Sequence, residues 1–393
     1  MMQRRQLLAR TFGTFGALGT LGALSALPRL SVAALPAAGA RRFVFVILRG
    51  GMDGLSAAPV PGDPAFAAAR GPLADFGAPA LPLHGPFALN PLLPQMHAMY
   101  GQGELVLVHA TGLPYRERSH FDAQQVLESG GTRPYELATG WLGRALHGRR
   151  AVALETAVPL VLRGDAAVDT WAPSVLPEPS PDLVTRLQAM YRADPALLNA
   201  LGRARGLRDD PAMADDTAPG YGRGAAVALA NKAAEFLQRG SQVAVLDVPG
   251  WDTHVNQALP QGALSYNLKT LDAMLAALRD GLQPGGAWRQ TVVLVATEFG
   301  REVAMNGTRG TDHGSGGAAF VAGGAVNGGC VIADWPGLAP AQRFEGRDLR
   351  ITTDLRALQR TLLEEHLDVP RAQLDDIVFP GSAKLPRVDL LRA

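Results

Sequence analysis

Two spacings of apolar residues alternate along this chain of 393 residues. Short apolar runs rich in β-branched residues recur at Arg41–Leu48, Glu104–His109, Val158–Leu162, Gln242–Val248, Val292–Val295 and Ala318–Val321, and each reads as a strand. Between them the apolar positions return every three or four residues. The clearest case is Leu264, Leu268, Leu271, Leu275 and Leu278, and weaker helices are expected at Pro94–Tyr100, Ala123–Leu127, Trp141–His147 and Ala225–Leu237, with another opening at Thr353-Asp354. Val292–Val295 carries no polar alternation, which suits a parallel strand covered on both faces. The pattern predicts an α/β fold. From Ala57 to Pro94 proline and glycine break the periodicity, and this segment reads as a long surface excursion. Residues 163–222 hold two helical pieces, around Leu183–Arg192 and Pro195–Leu201, and a polar connector from Asp209 to Gly220, and read as an insertion on the core fold.

Polar residues gather where the strands end, the place where open α/β sheets bind ligands. The strand at Val292 empties into Glu298 and Arg301, and the turn Thr311-Asp312-His313-Gly314 follows. The first strand opens into Arg49-Gly50-Gly51-Met52-Asp53-Gly54, where Asp53 suits a metal or phosphate site, or is one half of a turn pair. After Val248 come Asp252 and His254, which can face one ion with the imidazole held by a second partner, or serve as a helix cap and an ordinary exposed histidine. The loop before Ala123 holds Arg116, Arg118, Ser119, His120 and Asp122. Ser119-x-x-Asp122 has the form of a capping box, and a nucleophilic serine at a helix start uses the same geometry. Arg116, Arg118 and His120 are placed to hold an oxyanion beside it.

The first forty residues read as an address. Arg4-Arg5 precedes a weakly apolar run from Thr11 to Leu27 and small residues ending Ala38-Gly39-Ala40, the form of a twin-arginine export signal with cleavage after Ala40 or Ala33. The expected destination is the periplasm or the cell exterior, with no stable membrane span once the signal is removed. Loss of those residues removes Arg4, Arg5, Arg10 and Arg29 and no acid, and moves the formal charge from +1 to −3. No basic tail or stripe remains, which excludes nucleic acid as the main partner. Residues 41–393 form one decorated domain with 47% apolar residues over the whole sequence, enough for a large core. Cys330 is the one cysteine, so there is no internal disulfide, and its Gly-Gly-Cys-Val-Ile setting suits a buried structural thiol. Export in the folded state raises the expectation of a bound metal.

The segments LRGGMDGLS, RSHFDAQ, GWDTHVNQ, TEFGRE and TDHGSGG, in that order, resemble the twin-arginine-exported proteins of domain-of-unknown-function family 1501. That family is similar to the alkaline phosphatase and sulfatase superfamily, and the resemblance runs from Phe43 to Pro380. It implies a three-layer sandwich, with a mostly parallel sheet between helices, metal ions at the strands' carboxyl ends and a nucleophile at a helix start. One divalent ion, zinc, calcium or magnesium, would sit on Asp252, His254 and His313, with Asp312 beside them, and a second would draw on Asp53, Ser119 and Glu298. Phe299 stands where the superfamily carries a histidine for that second ion. The implied activity is hydrolysis of a phosphate or sulfate ester, with Ser119 or water attacking and Arg116 or Arg301 holding charge. The implied partner is an anionic ester substrate or a surface polymer. One alternative is a non-catalytic relative that binds or assembles at the cell surface. A serine hydrolase built on Ser315 is disfavoured, because His313 rather than glycine stands two residues before it.

Overall fold

All seven residues of Arg42–Leu48 are buried, and the strand they form lies near the centre of a nine-stranded sheet. The computed structural model describes residues 40–173, 179–208, 223–257 and 262–392; the export signal and the Asp209–Gly220 connector expected from the sequence lie outside them. In chain order the strands are β1 (Arg42–Leu48), β2 (Leu81–Pro82), β3 (Ala88–Leu89), β4 (Leu105–Gly112), β5 (Arg150–Ala153), β6 (Ala167–Thr170), β7 (Val243–Val248), β8 (Thr291–Ala296), β9 (Gly317–Ala322), β10 (Cys330–Ile332) and β11 (Thr353–Asp354). Across the sheet the order is β10-β4-β9-β8-β1-β7-β5-β6; β11 pairs in parallel with the carboxyl end of β4, and β2 and β3 form a separate hairpin.

The layers follow from the period of two along β1. Val44, Val46 and Leu48 enter one core with the helices Pro94–Gly101, Arg223–Gln238 and Ala263–Leu282. Phe43, Phe45 and Ile47 enter the other with His120–Ser129, Trp141–Ala145 and Leu355–His366. Both faces of the sheet are therefore covered by helices, which gives a three-layer α/β sandwich with a mostly parallel sheet. Trp141 stands edge-on to Phe45 at 5.4 Å and lies 5.7 Å from Phe379, so the C-terminal segment packs back onto the body.

Register places the chemistry. β7 and β8 flank β1 in parallel, and Leu48 pairs with Val248 while Ile47 pairs with Ala296, so three chains leave the sheet along one line. β9 runs antiparallel to β8 and β4, so its first residue, Gly317, opposite Thr111, lies at that same edge. A single reversed strand thus brings the His313 loop to the carboxyl ends of its neighbours.

Three expectations are corrected. Val158–Leu162 is not a strand: Leu160–Leu162 forms a 3-10 turn after Pro159, and the Val161 amide donates to Glu128 Oε2 at 3.0 Å. Five apolar residues look alike in either state, and the strands on this side of the sheet are β5 and, at the edge, β6, the latter inside the segment read as an insertion. The Ala57–Pro94 segment is no surface excursion, since Val60, Phe66, Leu73 and Leu89 are buried in it. Cys330 is half-buried rather than buried, with burial pushing its thiol above the ordinary value.

Candidate metal centre

Four side chains from three loops converge at the carboxyl edge of the sheet. Asp252 and His254 follow β7, His313 precedes β9, and His120 is the first residue of the helix after β4. His313 Nε2 lies 2.9 Å from His120 Nε2, 3.0 Å from His254 Nε2 and 3.2 Å from Asp252 Oδ1. His254 Nε2 is also 3.0 Å from Asp252 Oδ1. His120, Asp252 and His313 each offer a ligand atom within 4.8 Å of the others.

The other ring nitrogen of every histidine faces an oxygen that can only accept. His120 Nδ1 is 2.9 Å from Glu298 Oε1, His254 Nδ1 is 3.1 Å from Asp312 Oδ1, and His313 Nδ1 is 3.0 Å from the Arg118 carbonyl oxygen. In its neutral form an imidazole has one N–H, so where Nδ1 donates, Nε2 turns a lone pair inward, that of His254 also lying 3.5 Å from Arg301 Nη1. Bare lone pairs about 3 Å apart repel one another unless a cation lies among them. The donor set therefore fits a metal ion, and the spacing is near the roughly 3.3 Å between nitrogens bound tetrahedrally at Zn–N distances of about 2.0–2.1 Å. Three imidazoles and one carboxylate suit zinc rather than calcium or magnesium, which take oxygen ligands.

Arg301 is the clamp beneath this cluster. Fully buried, it donates from Nε to Gly51 O at 2.7 Å, from Nη1 to Thr311 O at 3.1 Å and from Nη2 to Trp251 O at 3.0 Å, to Gly50 O and to Asp252 Oδ1. Burial pushes the Asp252 carboxyl up, but the ion pair with Arg301 outweighs it and holds the group below the usual carboxylate range. Burial lowers His313, whereas the hydrogen bond to Glu298 raises His120. Phe299 walls the site, its ring 4.7 Å from that of His120 and 4.9 Å from that of His313. Gly51, at φ 72°, lies under that ring, and a Cβ there would come within 2.6 Å of it. Two cavities, about 760 Å³ beside Phe66 and Phe76 and about 470 Å³ between Arg41, Arg289 and Arg392, involve none of these residues; the centre is an open cluster in which the Asp252 side chain is 45% exposed.

The residues singled out from the sequence do not all gather at one place. Asp252, His254 and His313 come together. Glu298 and Asp312 stand behind the cluster as acceptors for His120 and His254, and Glu298 turns to His120 rather than to Asp53 or Ser119. Asp53 is elsewhere: it is buried, paired with Arg70 at 2.5 Å, bonded to Ser56 and Gln257, and caps the helix Gly54–Ala57. Its oxygens are fully committed. Ser119 occupies the N-cap of His120–Ser129, yet its hydroxyl makes no cap bond, so the capping box does not form and Asp122 instead accepts from Tyr115 at 3.2 Å. Arg116 lies 6.0 Å from the centre of the Phe344 ring with Nη1 buried and without a hydrogen-bond partner. Ser315 donates to Asp348 at 2.9 Å and is not free to act as a nucleophile. The residue that sequence reasoning did not place in this cluster is His120. Its signal was its place at a helix start directly after a strand loop, the position given to Ser119 instead.

No curated protein sequence matches this chain significantly. Among solved structures, it is similar to a sulfatase from Pseudoalteromonas sp. at 14% identity, over 85% of this chain and 70% of that one, with a TM-score of 0.43. It is similar also to a phosphonate monoester hydrolase of Agrobacterium radiobacter, at 16% identity over 83% and 74% with a TM-score of 0.39. A phosphonate monoester hydrolase from Silicibacter pomeroyi is similar at 10% identity over 88% and 76%, with a TM-score of 0.43. The profile of the family described as protein of unknown function (DUF1501) matches residues 100–361, and the chain belongs to that family.

Proposed function

We propose that this chain is a metal-dependent hydrolase of phosphate or sulfate esters, with one divalent ion, zinc by preference, held by His120, Asp252, His254 and His313. The observation that carries the reading is the uniform orientation of the imidazoles: each Nδ1–H is held by an acceptor and each Nε2 is turned inward. The ester class comes from the motif resemblance. When bound, such an ion supplies Lewis acidity toward an ester oxygen and lowers the pKa of water.

The chain's own residues divide the remaining work. Glu298, Asp312 and the Arg118 carbonyl orient the imidazoles through Nδ1, and Arg301 keeps Asp252 ionised. Ser119, uncapped and directly before His120, is the proposed nucleophile; the first amides of its helix favour an anion there. The unpartnered Nη1 of Arg116 is the proposed anchor for the substrate's charge. Arg301, fully engaged, positions rather than binds. A polymer-bound ester at the cell surface is within this class. Export in the folded state, proposed from Arg4-Arg5, would deliver the protein to that compartment, and no described helix is long and apolar enough to cross a membrane.

Phe299 in place of a ligand favours a second reading, a non-catalytic binding protein that keeps the fold. Metal analysis of purified protein and a screen of phosphate and sulfate esters separate the two. The expected result is about one zinc per chain, lost together with esterase activity in His313→Ala. Wild-type protein that takes up no divalent metal overturns the metal reading; stoichiometric metal without turnover of any ester favours the second.

A further inference from the structure

We propose that Asp348, which touches none of the four proposed ligands through its side chain, is a positioning residue that sets the tautomer of His313; the inference rests on the metal reading above. His120 and His254 have carboxylates behind them, but His313 has only a backbone carbonyl, that of Arg118. A carbonyl holds an imidazole only if its own backbone is held. Arg118 sits at φ 59°, a left-handed conformation unfavourable for any residue with a side chain, so something must keep it there.

Asp348 is the group placed to do so. Its carboxylate is fully buried and accepts from Arg118 Nε at 2.8 Å, from Ser315 Oγ at 2.9 Å and from Arg347 Nε at 3.0 Å. Arg347 in turn donates to the carbonyl oxygen of His313 itself. One buried carboxylate thus grips both sides of the Arg118–His313 hydrogen bond. Arg118 also pairs with Glu345, but that side chain is 59% exposed, and an exposed pair is screened and weak. The anchor is therefore Asp348. Without it the Arg118 backbone relaxes from its left-handed conformation, its carbonyl turns away, and His313 is free to carry its proton on Nε2, which then points an N–H at the ion's place.

The test reads the tautomer directly. In metal-free protein labelled with nitrogen-15 at histidine, His313 should appear as the Nδ1–H form in the wild type, and Asp348→Asn should shift it toward Nε2–H. Zinc affinity, measured by competition with a chelator, should fall about 10–100-fold, as for other losses behind a metal ligand. Ser315→Ala removes a different bond to the same carboxylate; it should lower the melting temperature and leave tautomer and affinity unchanged. If Asp348→Asn does not fold, Arg118→Gln carries the same expectation from the other end of the contact. A wild-type His313 in the Nε2–H form, or a folded Asp348→Asn protein with wild-type tautomer and affinity, overturns the inference. Wild-type protein that binds no metal overturns the function proposed above instead, because the tautomer is read without metal and still decides the role of Asp348.

Discussion

Replacing Glu298 by Gln removes a charge from behind the centre while leaving the shape. Glu298 is 1% exposed. Its Oε1 accepts from the Gly50 amide at 2.8 Å, from His120 Nδ1 at 2.9 Å and from Gln124 Nε2 at 3.2 Å, and its Oε2 lies 3.0 Å from Thr297 Oγ1. A glutamine can keep its oxygen toward the first three. Its NH₂ then faces Thr297 Oγ1, whose own proton goes to Leu48 O at 2.7 Å, so no buried group is orphaned. Metal-free stability should therefore drop by only about 1 kcal/mol, the scale of weakening charge-assisted bonds to neutral ones. Metal affinity should drop further, about 10–100-fold or roughly 1.4–2.7 kcal/mol, because a neutral acceptor makes the His120 imidazole a poorer donor to a cation. The same hydrogen bond raises the proton affinity of His120 above its ordinary 6.5, so protons and metal compete harder for the wild-type ring. The gap between the two proteins should narrow as the pH falls through that region. Chelator competition at several pH values, with thermal melts of the metal-free proteins, reads both quantities. A Glu298→Gln protein that melts normally and binds zinc as tightly as the wild type would refute the claim that Glu298 acts through His120.

Three further outcomes follow from other groups. Burial and the neighbouring Asp247 push the Glu155 carboxyl up to about 8, so the native state keeps a proton that the unfolded chain loses near the ordinary 4.5. The stability this gives is present below that value and lost as the pH rises through about 8; Glu155→Gln should flatten the slope in urea midpoints taken between about pH 5 and about pH 9. Arg70→Met leaves Asp53 buried without its counter-charge and should cost about 3–5 kcal/mol in denaturant unfolding. In Gly316→Ala the new methyl would come within 2.5 Å of Leu349 O, so the His313 loop must shift; the melting temperature and zinc affinity should fall together.

The layers of this protein were readable because their signal is one-dimensional. β8 and the helix Ala263–Leu282 announce themselves by composition and period alone, and Asp252, His254 and His313 were found because strand ends are where such sheets put chemistry. What failed depended on which side chain turns toward which. Asp53 lies in the loop after β1, as a ligand would, and its commitment to Arg70 joins residues 17 apart through a contact that no local pattern encodes. Glu298 was placed at the site, but the histidine it serves is 178 residues earlier in the chain. Ser119 and His120 compete for the same helix start, and only the structure says that the ring turns inward while the hydroxyl leaves the cap unmade.

The same contacts bear on how many ions the proposed centre would hold. A second site of the kind the motif resemblance implies would need lone pairs from Asp53, Ser119, Glu298 and the residue at 299. Phe299 has none to give and instead fills the space beside His120 and His313. Glu298 has its charge turned to His120 and to the Gly50 amide. Asp53 already carries the guanidinium of Arg70, and a cation arriving there would have to expel a side chain that is fully buried and also bonded to Val303 O at 2.8 Å. Each of these contacts opposes such a site, and together they predict a single ion. Zinc titration followed by calorimetry should therefore saturate at one equivalent per chain, and Asp53→Asn should leave that equivalent and its affinity in place while lowering stability. A second equivalent bound with comparable affinity and lost in Asp53→Asn would show that Arg70 gives way to metal, and would overturn the single-ion reading.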